Sequence, residues 1–230
     1  MGQGDYEPGT VRIFDQVLEK GDSVIIAGAH QGYFARHCAS LAGEVFAFEP
    51  EPTNREILTK AVEGLNVEVF PFALGDRNAE AKFYINSDND GGHALWDVSK
   101  HAYNIKTQQE RQAIKVEIKT IDSIDLDFSN LKLLMLDAEG AEHSILKGAI
   151  NTIVDYDVPY IICEINNYAL KQCQTSQMAL RSYLSIYGFQ GYIVNDNDVT
   201  EAERGELSLT IPGIDMDIVF NMFFSKRGKV

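Results

Sequence analysis

The sequence is poor in cysteine and in clustered basic residues, and each shortage excludes a class of protein. Its three cysteines, Cys38, Cys163 and Cys173, form no CxxC pair. Such a sparse, odd set excludes a disulfide framework and a CxxC zinc or redox site. Twenty Lys and Arg face 34 Asp and Glu, for a net charge of −14. Because nucleic-acid binding requires clustered cations, we expect no nucleic-acid partner.

Long hydrophobic runs are also missing. No uninterrupted apolar stretch approaches the roughly 18 residues that a membrane helix needs, and the N-terminal MGQGDYEPG is too polar for a secretory signal. Apolar residues make up 45% and charged residues 23% of the chain, as in ordinary globular proteins. We therefore expect a cytoplasmic protein without a membrane partner. The oligomeric state stays open.

Apolar runs alternate with helical patterns over the first seventy residues. Buried parallel strands are predicted at Ser23–Ala27, Glu44–Phe48 and Val67–Phe70, with helices at Val11–Glu19, Tyr33–Leu41 and 53–62. Thr53 and Glu56 have the spacing of a capping box for the third helix. Alternation of this kind is typical of an α/β fold with a parallel sheet.

The rest of the chain continues this pattern around one irregular region. Further strands are predicted at Leu133–Leu136, 160–166, Phe189–Val194 and 218–225, and helices after Gly140 and at 178–187. Segments 79–85 and 114–118 alternate like half-exposed strands that pair. The polar segment 86–112 between them is long enough for a lid or binding loop. We expect a lead-in over residues 1–20, followed by one domain, 21–230, with an insertion at about 76–120.

An acidic corner follows the strand Leu133–Leu136. Asp137, Glu139 and Glu142 lie between this strand and the next helix. Ligands of open parallel sheets bind at the carboxyl ends of strands, which makes this corner the leading candidate site. Carboxylates also stabilise helix N-termini, so a purely capping role for Glu142 stays open. Together with Glu164 these residues could bind Mg²⁺ or Ca²⁺, but carboxylates at strand ends need no metal, and none is predicted.

A glycine turn follows the first strand. Gly28 and Gly32 bracket the turn, and Glu49 comes 21 residues after Gly28, at the end of the next strand. Such a turn lets a ligand lie against bare backbone, and the acid can accept both hydroxyls of a ribose. The pattern indicates an adenosine-type cofactor. Since the spacing is Gly-x-x-x-Gly rather than GxGxxG, a nicotinamide cofactor is the second choice.

Four segments resemble the FkbM family of methyltransferases in order and spacing. They are Gly28-Ala29-His30-Gln31-Gly32-Tyr33-Phe34, Phe48-Glu49-Pro50-Glu51-Pro52-Thr53-Asn54, Ala73-Leu74-Gly75, and Leu136-Asp137-Ala138-Glu139-Gly140-Ala141-Glu142 with Leu146-Lys147-Gly148-Ala149. The resemblance implies a class I methyltransferase, Rossmann-like fold: a mostly parallel seven-stranded sheet with helices on both faces. It also implies S-adenosylmethionine as cofactor and methylation of a hydroxyl on a sugar or other small molecule.

The resemblance also implies roles for individual residues. Cofactor contacts are expected from Gly28, Ala29, His30, Gly32, Tyr33, Glu49, Pro50, Asn54, Ala73, Leu74 and Asp137. Catalytic roles are expected for Asp137, His93 and Glu139, and substrate contacts for His93, Trp96, Glu142 and Glu164. Ile26 and His30 depart from the family pattern, which usually has Asp and Asn at these places.

Two alternatives stay open. A member of the family that has lost catalysis would act as a cofactor-binding or interaction module, and the absent Asp at position 26 supports this. A nicotinamide-dependent oxidoreductase is less favoured, because Glu49 could bind either ribose but the glycine spacing and the acidic block do not fit.

Overall fold

A computed structural model describes residues 6–196, 198–202 and 219–230. Within them the helices are α1 Pro8–Val17, α2 Tyr33–Leu41, α3 Pro52–Ala61, α4 Ile105–Glu110, α5 Glu142–Lys147, α6 Ile150–Asp155, α7 Asn167–Gln172 and α8 Gln177–Ile186. The strands are β1 Ser23–Ala27, β2 Glu44–Phe48, β3 Val67–Phe70, β4 Ala73–Leu74, β5 Ala79–Tyr84, β6 Ala113–Lys119, β7 Leu131–Leu136, β8 Tyr160–Ile165, β9 Gln190–Val194, β10 Val199–Glu201 and β11 Phe220–Ser225. No helix among the described residues has the length and hydropathy needed to cross a membrane.

One large sheet forms the centre of the molecule, in the order β10-β9-β11-β8-β7-β1-β2-β3. The strands from β8 to β3 are parallel, whereas β11 runs antiparallel to both β8 and β9. The predicted α/β architecture is confirmed. The predicted count of seven strands is one too low, because β10 pairs antiparallel with β9 at the edge.

Both faces of the sheet are covered by apolar layers. In β1, Ile25 and Ala27 belong to one buried cluster, while Val24 and Ile26 belong to the other. Successive side chains of a strand point to opposite faces, so a strand covered on both faces must be apolar throughout. This is why β1 appears in the sequence as an unbroken apolar run.

The strand register aligns the residues at the carboxyl edge of the sheet. Ala27 pairs with Phe48 on one side and with Leu136 on the other, and Leu136 pairs with Cys163. The residues that follow these four lie side by side, and Asn221 lies opposite the last of them on β11. We call these five residues the edge row: Glu49, Gly28, Asp137, Glu164 and Asn221.

A second, smaller sheet has the order β4-β6-β5 and lies where the sequence predicts an insertion. The predicted pairing of its two longer strands is confirmed, since β5 and β6 are antiparallel. The polar segment before β6 contains α4, which the sequence pattern did not predict. The carboxylate of Asp88 accepts hydrogen bonds from the backbone N–H groups of Lys106 and Thr107 at the start of α4. Because Asp88 is 18 residues from the start of α4, the sequence next to the helix contains no capping pattern that predicts it.

The starts of one helix and one strand differ from the prediction. The N-cap of α3 is Glu51, whose side chain accepts a hydrogen bond from the N–H of Asn54 at 2.6 Å, and Pro52 occupies the first turn. The predicted capping box at Thr53 is therefore wrong, and Glu56 instead pairs with Lys60 one turn later. The predicted last strand begins at Phe220 in the structure. Residue 218 lies outside the described residues, as do residues 197 and 203–206 of the acidic segment 196–206.

Candidate active site

The glycine turn after β1 is held by backbone hydrogen bonds. Gly28 and Gly32 have φ of +80° and +91°, values that favour glycine. The N–H groups of Gly28 and Ala29 both donate to the carbonyl of Phe48, at 3.0 Å. A Cβ at Gly28 would lie 1.7 Å from the carbonyl oxygen of Asp137. Only glycine therefore allows the turns after β1 and β7 to lie in contact.

The two departures from the family pattern are accommodated in different ways. His30 has φ of +48°, a left-handed conformation in which Asn, Asp and His are the most frequent residues after glycine. The backbone requirement that Asn would meet is therefore met by His30. Ile26 is 1% exposed and belongs to the apolar cluster on one face of the sheet, together with Met135. An Asp there would bring a carboxylate into this layer, so Ile26 strengthens the core.

Glu49 receives two backbone hydrogen bonds at the carboxyl end of β2. Its Oε2 accepts from the N–H of His30 at 2.8 Å, and its Oε1 accepts from the N–H of Glu51 at 2.9 Å. Only 5% of the residue is exposed, and burial raises the pKa of its carboxyl to about 7. Each oxygen of a carboxylate offers about two acceptor sites, so one remains on each. These are the acceptors that two ribose hydroxyls require, and Glu49 fits an adenosyl cofactor.

The insertion closes over the glycine turn at Asn54. This side chain is 4% exposed; its Nδ2 donates to the carbonyl of Asp90 at 3.0 Å, and its Oδ1 accepts from Gln31 at 3.4 Å. Gln31 also donates to the carboxylate of Asp90 at 3.0 Å. Asn54 therefore ties the insertion to the turn, and its contact with adenine stays a prediction.

The other predicted cofactor residues lie on several elements. Pro50 is buried and its carbonyl accepts from Arg55 at 2.9 Å. Ala73 and Leu74 form β4 and are 7% and 3% exposed. Tyr33 is 48% exposed at the start of α2. The contacts of these residues with a cofactor stay predictions.

Asp137 adjoins the glycine turn on the side opposite Glu49. Its N–H donates to the carbonyl of Ala27 at 3.0 Å, which fixes the backbone. No donor among the described residues reaches its carboxylate. Burial raises the pKa of this carboxyl well above its ordinary value, and the charges of Glu139 and Glu7 raise it further. A half-buried carboxylate with a raised pKa is suited to accept a proton near neutral pH.

Glu139 lies in a strained turn immediately after Asp137. Its φ is +49°, which a residue with a side chain adopts only at a cost of about 1–3 kcal/mol. The strain is maintained by contacts on both sides: Asn166 donates to its Oε2 at 3.1 Å, and the indole N–H of Trp96 donates to its carbonyl at 2.9 Å. Burial and the charge of Glu142 raise the pKa of Glu139 to about 7.

Glu142 braces this turn from beneath. Its Oε1 accepts from the N–H groups of Ala138 and Gly140, at 2.9 and 3.1 Å. The residue is 1% exposed, and its Oε2 has no hydrogen-bond partner within the part of the chain that the structure describes. This position favours a structural role in the turn before α5 over the predicted contact with a substrate.

His93 is held by the loop that contains it. Its Nδ1 accepts a hydrogen bond from the N–H of Asn86 at 2.9 Å, so the proton of the neutral ring is on Nε2. Burial lowers the pKa of the ring, which favours this neutral form. Because neither nitrogen then has a free lone pair, the geometry disfavours His93 as a general base. It does fit a residue that orders the turn between Asn86 and Ala94.

Trp96 joins the insertion to the acidic corner. Besides its bond to the carbonyl of Glu139, its ring packs edge-on against Tyr168, with centroids 5.6 Å apart. Both rings are half-buried. The predicted contact of Trp96 with a sugar face stays a prediction, and the observed contact makes Trp96 a positioning residue for Glu139.

Sequence reasoning missed the N-terminal residues of the site. Glu7 accepts hydrogen bonds from Thr10 at 3.0 Å and from Asn221 at 2.5 Å. Tyr6 packs edge-on against Tyr33, with centroids 5.3 Å apart. Burial raises the pKa of Tyr6, and the charges of Glu7, Asp137 and Glu164 raise it further. No sequence signal was available, because Glu7 and Asn221 are 214 positions apart.

No metal site accompanies this cluster of carboxylates. Within residues 6–196, 198–202 and 219–230, no group of three or more His, Cys, Asp or Glu side chains is arranged to hold a metal ion.

Comparison with known structures identifies the fold. A protein named methyltransferase FkbM, from Methylobacillus flagellatus, superposes with a TM-score of 0.58 at 14% identity, covering 96% of this chain and 48% of its own. This chain thus spans about half the length of that protein. A protein from Streptococcus mutans, described as a methyltransferase and crystallised with SAH, has a TM-score of 0.50 at 10% identity, covering 96% of both chains. One from Clostridium thermocellum, described as an rRNA methylase, has a TM-score of 0.52 at 11% identity, covering 100% of this chain and 98% of its own.

Comparison of sequences identifies the family. No curated protein matches the chain. The model of the methyltransferase FkbM domain matches residues 27–190, which include the glycine turn, Glu49 and the acidic corner. Methyltransferases with this fold take their methyl group from S-adenosylmethionine, the cofactor that the sequence predicts. The chain belongs to the FkbM methyltransferase family.

Proposed function

We propose that the protein transfers a methyl group from S-adenosylmethionine to a hydroxyl of a sugar or another small polar molecule. The observation that carries the proposal is the edge row. In this row Glu49, with an acceptor site left on each carboxylate oxygen, and Asp137 lie on either side of Gly28. When bound, S-adenosylmethionine supplies an electrophilic methyl group on a positively charged sulfur.

The chain's own residues would bind and orient the two reactants. Glu49 accepts the ribose hydroxyls, and the bare backbone at Gly28 allows close approach. Orientation of an acceptor oxygen in line with the methyl group can supply about 7–11 kcal/mol of the barrier. A bond forms between that oxygen and the methyl carbon, while the carbon–sulfur bond breaks and its electron pair stays on sulfur.

Asp137 is the proposed proton acceptor. The acceptor hydroxyl must lose its proton as the new bond forms, and the carboxylate of Asp137 has no competing donor among the described residues. Its raised pKa makes it a stronger base than an exposed Asp. The strained turn at Glu139, tied down by Trp96, holds Asp137 toward the acceptor.

A small-molecule acceptor suits the charge of the protein better than a nucleic acid. The net charge is −14, and Glu7, Asp137, Glu139 and Glu164 interact electrostatically at the carboxyl edge of the sheet. This negative potential would repel the phosphates of RNA or DNA. We therefore expect neither a nucleic-acid partner nor a membrane partner.

A thermal-shift titration with S-adenosylmethionine, S-adenosylhomocysteine and NAD tests the cofactor. Saturation to about 100 times the dissociation constant stabilises a fold by roughly 2.7 kcal/mol, which raises the melting temperature of a chain this long by about 5–11 °C. We expect this shift with both adenosyl ligands and none with NAD. A shift with NAD alone would contradict the proposal in favour of the oxidoreductase.

Turnover then separates an enzyme from a binding module. Release of S-adenosylhomocysteine should rise when a panel of sugars and polyols is added to the protein with S-adenosylmethionine. Binding of S-adenosylmethionine without release from any panel member would favour the non-catalytic alternative.

A further inference from the structure

A cavity lies at the far end of the edge row, away from the glycine turn. Its volume is about 230 Å³, and its polar lining comes from α1, β8, β11 and the loop after β9. The polar side chains are those of Glu7, Thr10, Glu164, Asn195, Asp196 and Asn221. Glu164 adjoins Asp137 in the edge row, so the cavity opens beside the proposed proton acceptor.

The charge in this cavity is of one sign. Three of its lining residues, Glu7, Glu164 and Asp196, are acids, and no Lys, Arg or His is among the described residues that line it. The charges that act most strongly on Glu164 are also carboxylates, those of Asp137 and Glu139. Burial raises the pKa of Glu164, and the charges of these carboxylates raise it further. A neutral ligand would leave this repulsion unrelieved.

One oxygen of the half-buried Glu164 also lacks a hydrogen-bond donor within the described part of the chain. Its Oε2 is shielded from solvent and has no partner among the described residues. Asn221, directly opposite on β11, gives its side-chain N–H groups to Glu7 at 2.5 Å and to Thr10 at 3.0 Å. A buried acceptor left without a donor costs about 1–3 kcal/mol, and more when it is charged. The missing donor is one that a ligand can supply.

The cofactor accounts neither for the uncompensated negative charge of the cavity nor for the unpartnered oxygen of Glu164. Glu164 is two strands from Gly28 and three from Glu49, and neighbouring strands lie about 4.8 Å apart. The backbones of Glu49 and Glu164 thus lie on the order of 14 Å apart across the sheet. S-adenosylmethionine carries a sulfonium, an ammonium and a carboxylate, hence one net positive charge. That is less than the summed charge of the four carboxylates that act on Asp137, which are Glu139, Glu7, Glu142 and Glu49.

We propose that this cavity binds a protonated amino group of the methyl acceptor, which would make the acceptor an amino sugar or another amino alcohol. An ammonium group brings a positive charge and three N–H donors, which match the acids and the unpaired oxygen of Glu164. The inference rests on the proposed function, because it names the chemical class of that acceptor.

The test is calorimetric titration of the full chain saturated with S-adenosylhomocysteine, at pH 6.5 in phosphate buffer. The ligands form matched pairs: glucosamine with glucose, galactosamine with galactose, and 2-aminoethanol with ethylene glycol. We expect at least one amine to bind ten or more times more tightly than its neutral counterpart. In Glu164→Gln this preference should fall at least tenfold, while affinity for S-adenosylhomocysteine stays within twofold.

Further variants keep the test decisive. Asp196→Asn removes a charge from the exposed rim of the cavity and should weaken the amine preference by a smaller factor. Glu63→Gln, on the exposed surface beyond α3, removes one charge elsewhere and should leave the preference unchanged.

Each contrary result has a distinct meaning. No preference for any amine, or a preference that survives Glu164→Gln, would overturn the inference and leave the proposed function intact. Absence of S-adenosylhomocysteine binding would instead refute the proposed function. A titration in which Mg²⁺ binds in place of the amines, and is lost in Glu164→Gln, would overturn the inference in favour of a metal.

Discussion

The two ends of the edge row are built in opposite ways. At the cofactor end, both oxygens of Glu49 accept backbone N–H groups, and the turn beside it is fixed by hydrogen bonds to Phe48. At the acceptor end, the Oε2 of Glu164 has no donor among the described residues. At the cofactor end the fold itself supplies donors to the carboxylate, and at the acceptor end a ligand can supply the missing donor. The difference suggests a site organised for a constant cofactor and a chemically specific acceptor.

The largest effect should come from breaking the contact between the two ends. In Gly28→Ala the new Cβ would lie 1.7 Å from the carbonyl oxygen of Asp137, at φ of +80°. Overpacking and left-handed strain together should cost about 3–5 kcal/mol, or a fall of roughly 6–20 °C in melting temperature. Differential scanning calorimetry measures it.

Gly21→Ala is the matched control. Gly21 also has a positive φ, +99°, but a Cβ there meets no atom within 4 Å. It should therefore cost only the strain, about 1–2 kcal/mol. Equal losses in the two variants would show that the contact with Asp137 contributes nothing.

The second largest effect should be a fall in the rate of methyl transfer with little change in cofactor affinity. Asp137→Asn keeps the shape of the side chain but removes the proton acceptor, so the rate of methyl transfer should fall by roughly 10² to 10⁴. Affinity for S-adenosylmethionine, measured by calorimetry, should change far less. Asp155→Asn, an exposed residue at the end of α6, is the control and should retain full activity. A variant of Asp137 with an unchanged rate would remove this residue from the mechanism.

The acidity of the edge row predicts an unusual dependence of stability on pH. Burial raises the pKa values of Glu49 and Glu142 to about 7, and those of Asp137 and Glu164 well above their ordinary values. The folded state therefore binds more protons than the unfolded state, and the free energy of unfolding must fall as pH rises. For Glu49 alone, the rise from 4.5 to about 7 corresponds to roughly 3 kcal/mol, lost between about pH 4.5 and pH 7.

Urea unfolding of the ligand-free protein at pH 5.5 and pH 8 measures this loss. Carboxylates with lowered pKa values, such as Asp157 beside Lys226, act in the opposite direction, but they are exposed and contribute little. Glu164→Gln should flatten the profile. Stability that is constant or higher at pH 8 would mean that the carboxylates are not buried as described.

The cofactor end was the more predictable from sequence. Gly28 and Glu49 each directly follow an apolar strand, and the fixed register of parallel strands brings such strand ends together. The resemblance to a family then supplied the order of the motifs. These signals are local or repeat at a constant spacing, so they can be recognised in a single sequence.

The acceptor end was less predictable, for a physical reason. Glu7 and Asn221 meet only because β11 runs antiparallel beside β8. The sequence around each residue contains no pattern that predicts this contact. The same holds for Asp88, which caps α4 from 18 residues away, and for Trp96, which reaches the carbonyl of Glu139. Long-range hydrogen bonds carry no periodicity. The sequence favours His93 as a base because the hydrogen bond that it accepts from the N–H of Asn86 cannot be predicted from the sequence.

The smallest effect, and the sharpest separation of the two ends, should come from Glu49→Gln. The glutamine keeps one accepting oxygen but turns an NH₂ group toward the N–H of His30 or Glu51, and it removes the charge that strengthens both ribose contacts. Hydrogen bonds to charged groups are worth about 1.5–3 kcal/mol, so affinity for S-adenosylmethionine should fall by roughly 10- to 100-fold in calorimetric titration. Glu68→Gln, on the exposed part of β3, should leave affinity unchanged. If Glu164→Gln weakened the cofactor as much as Glu49→Gln does, the two ends of the edge row would form one site, and their assignment to different ligands would be wrong.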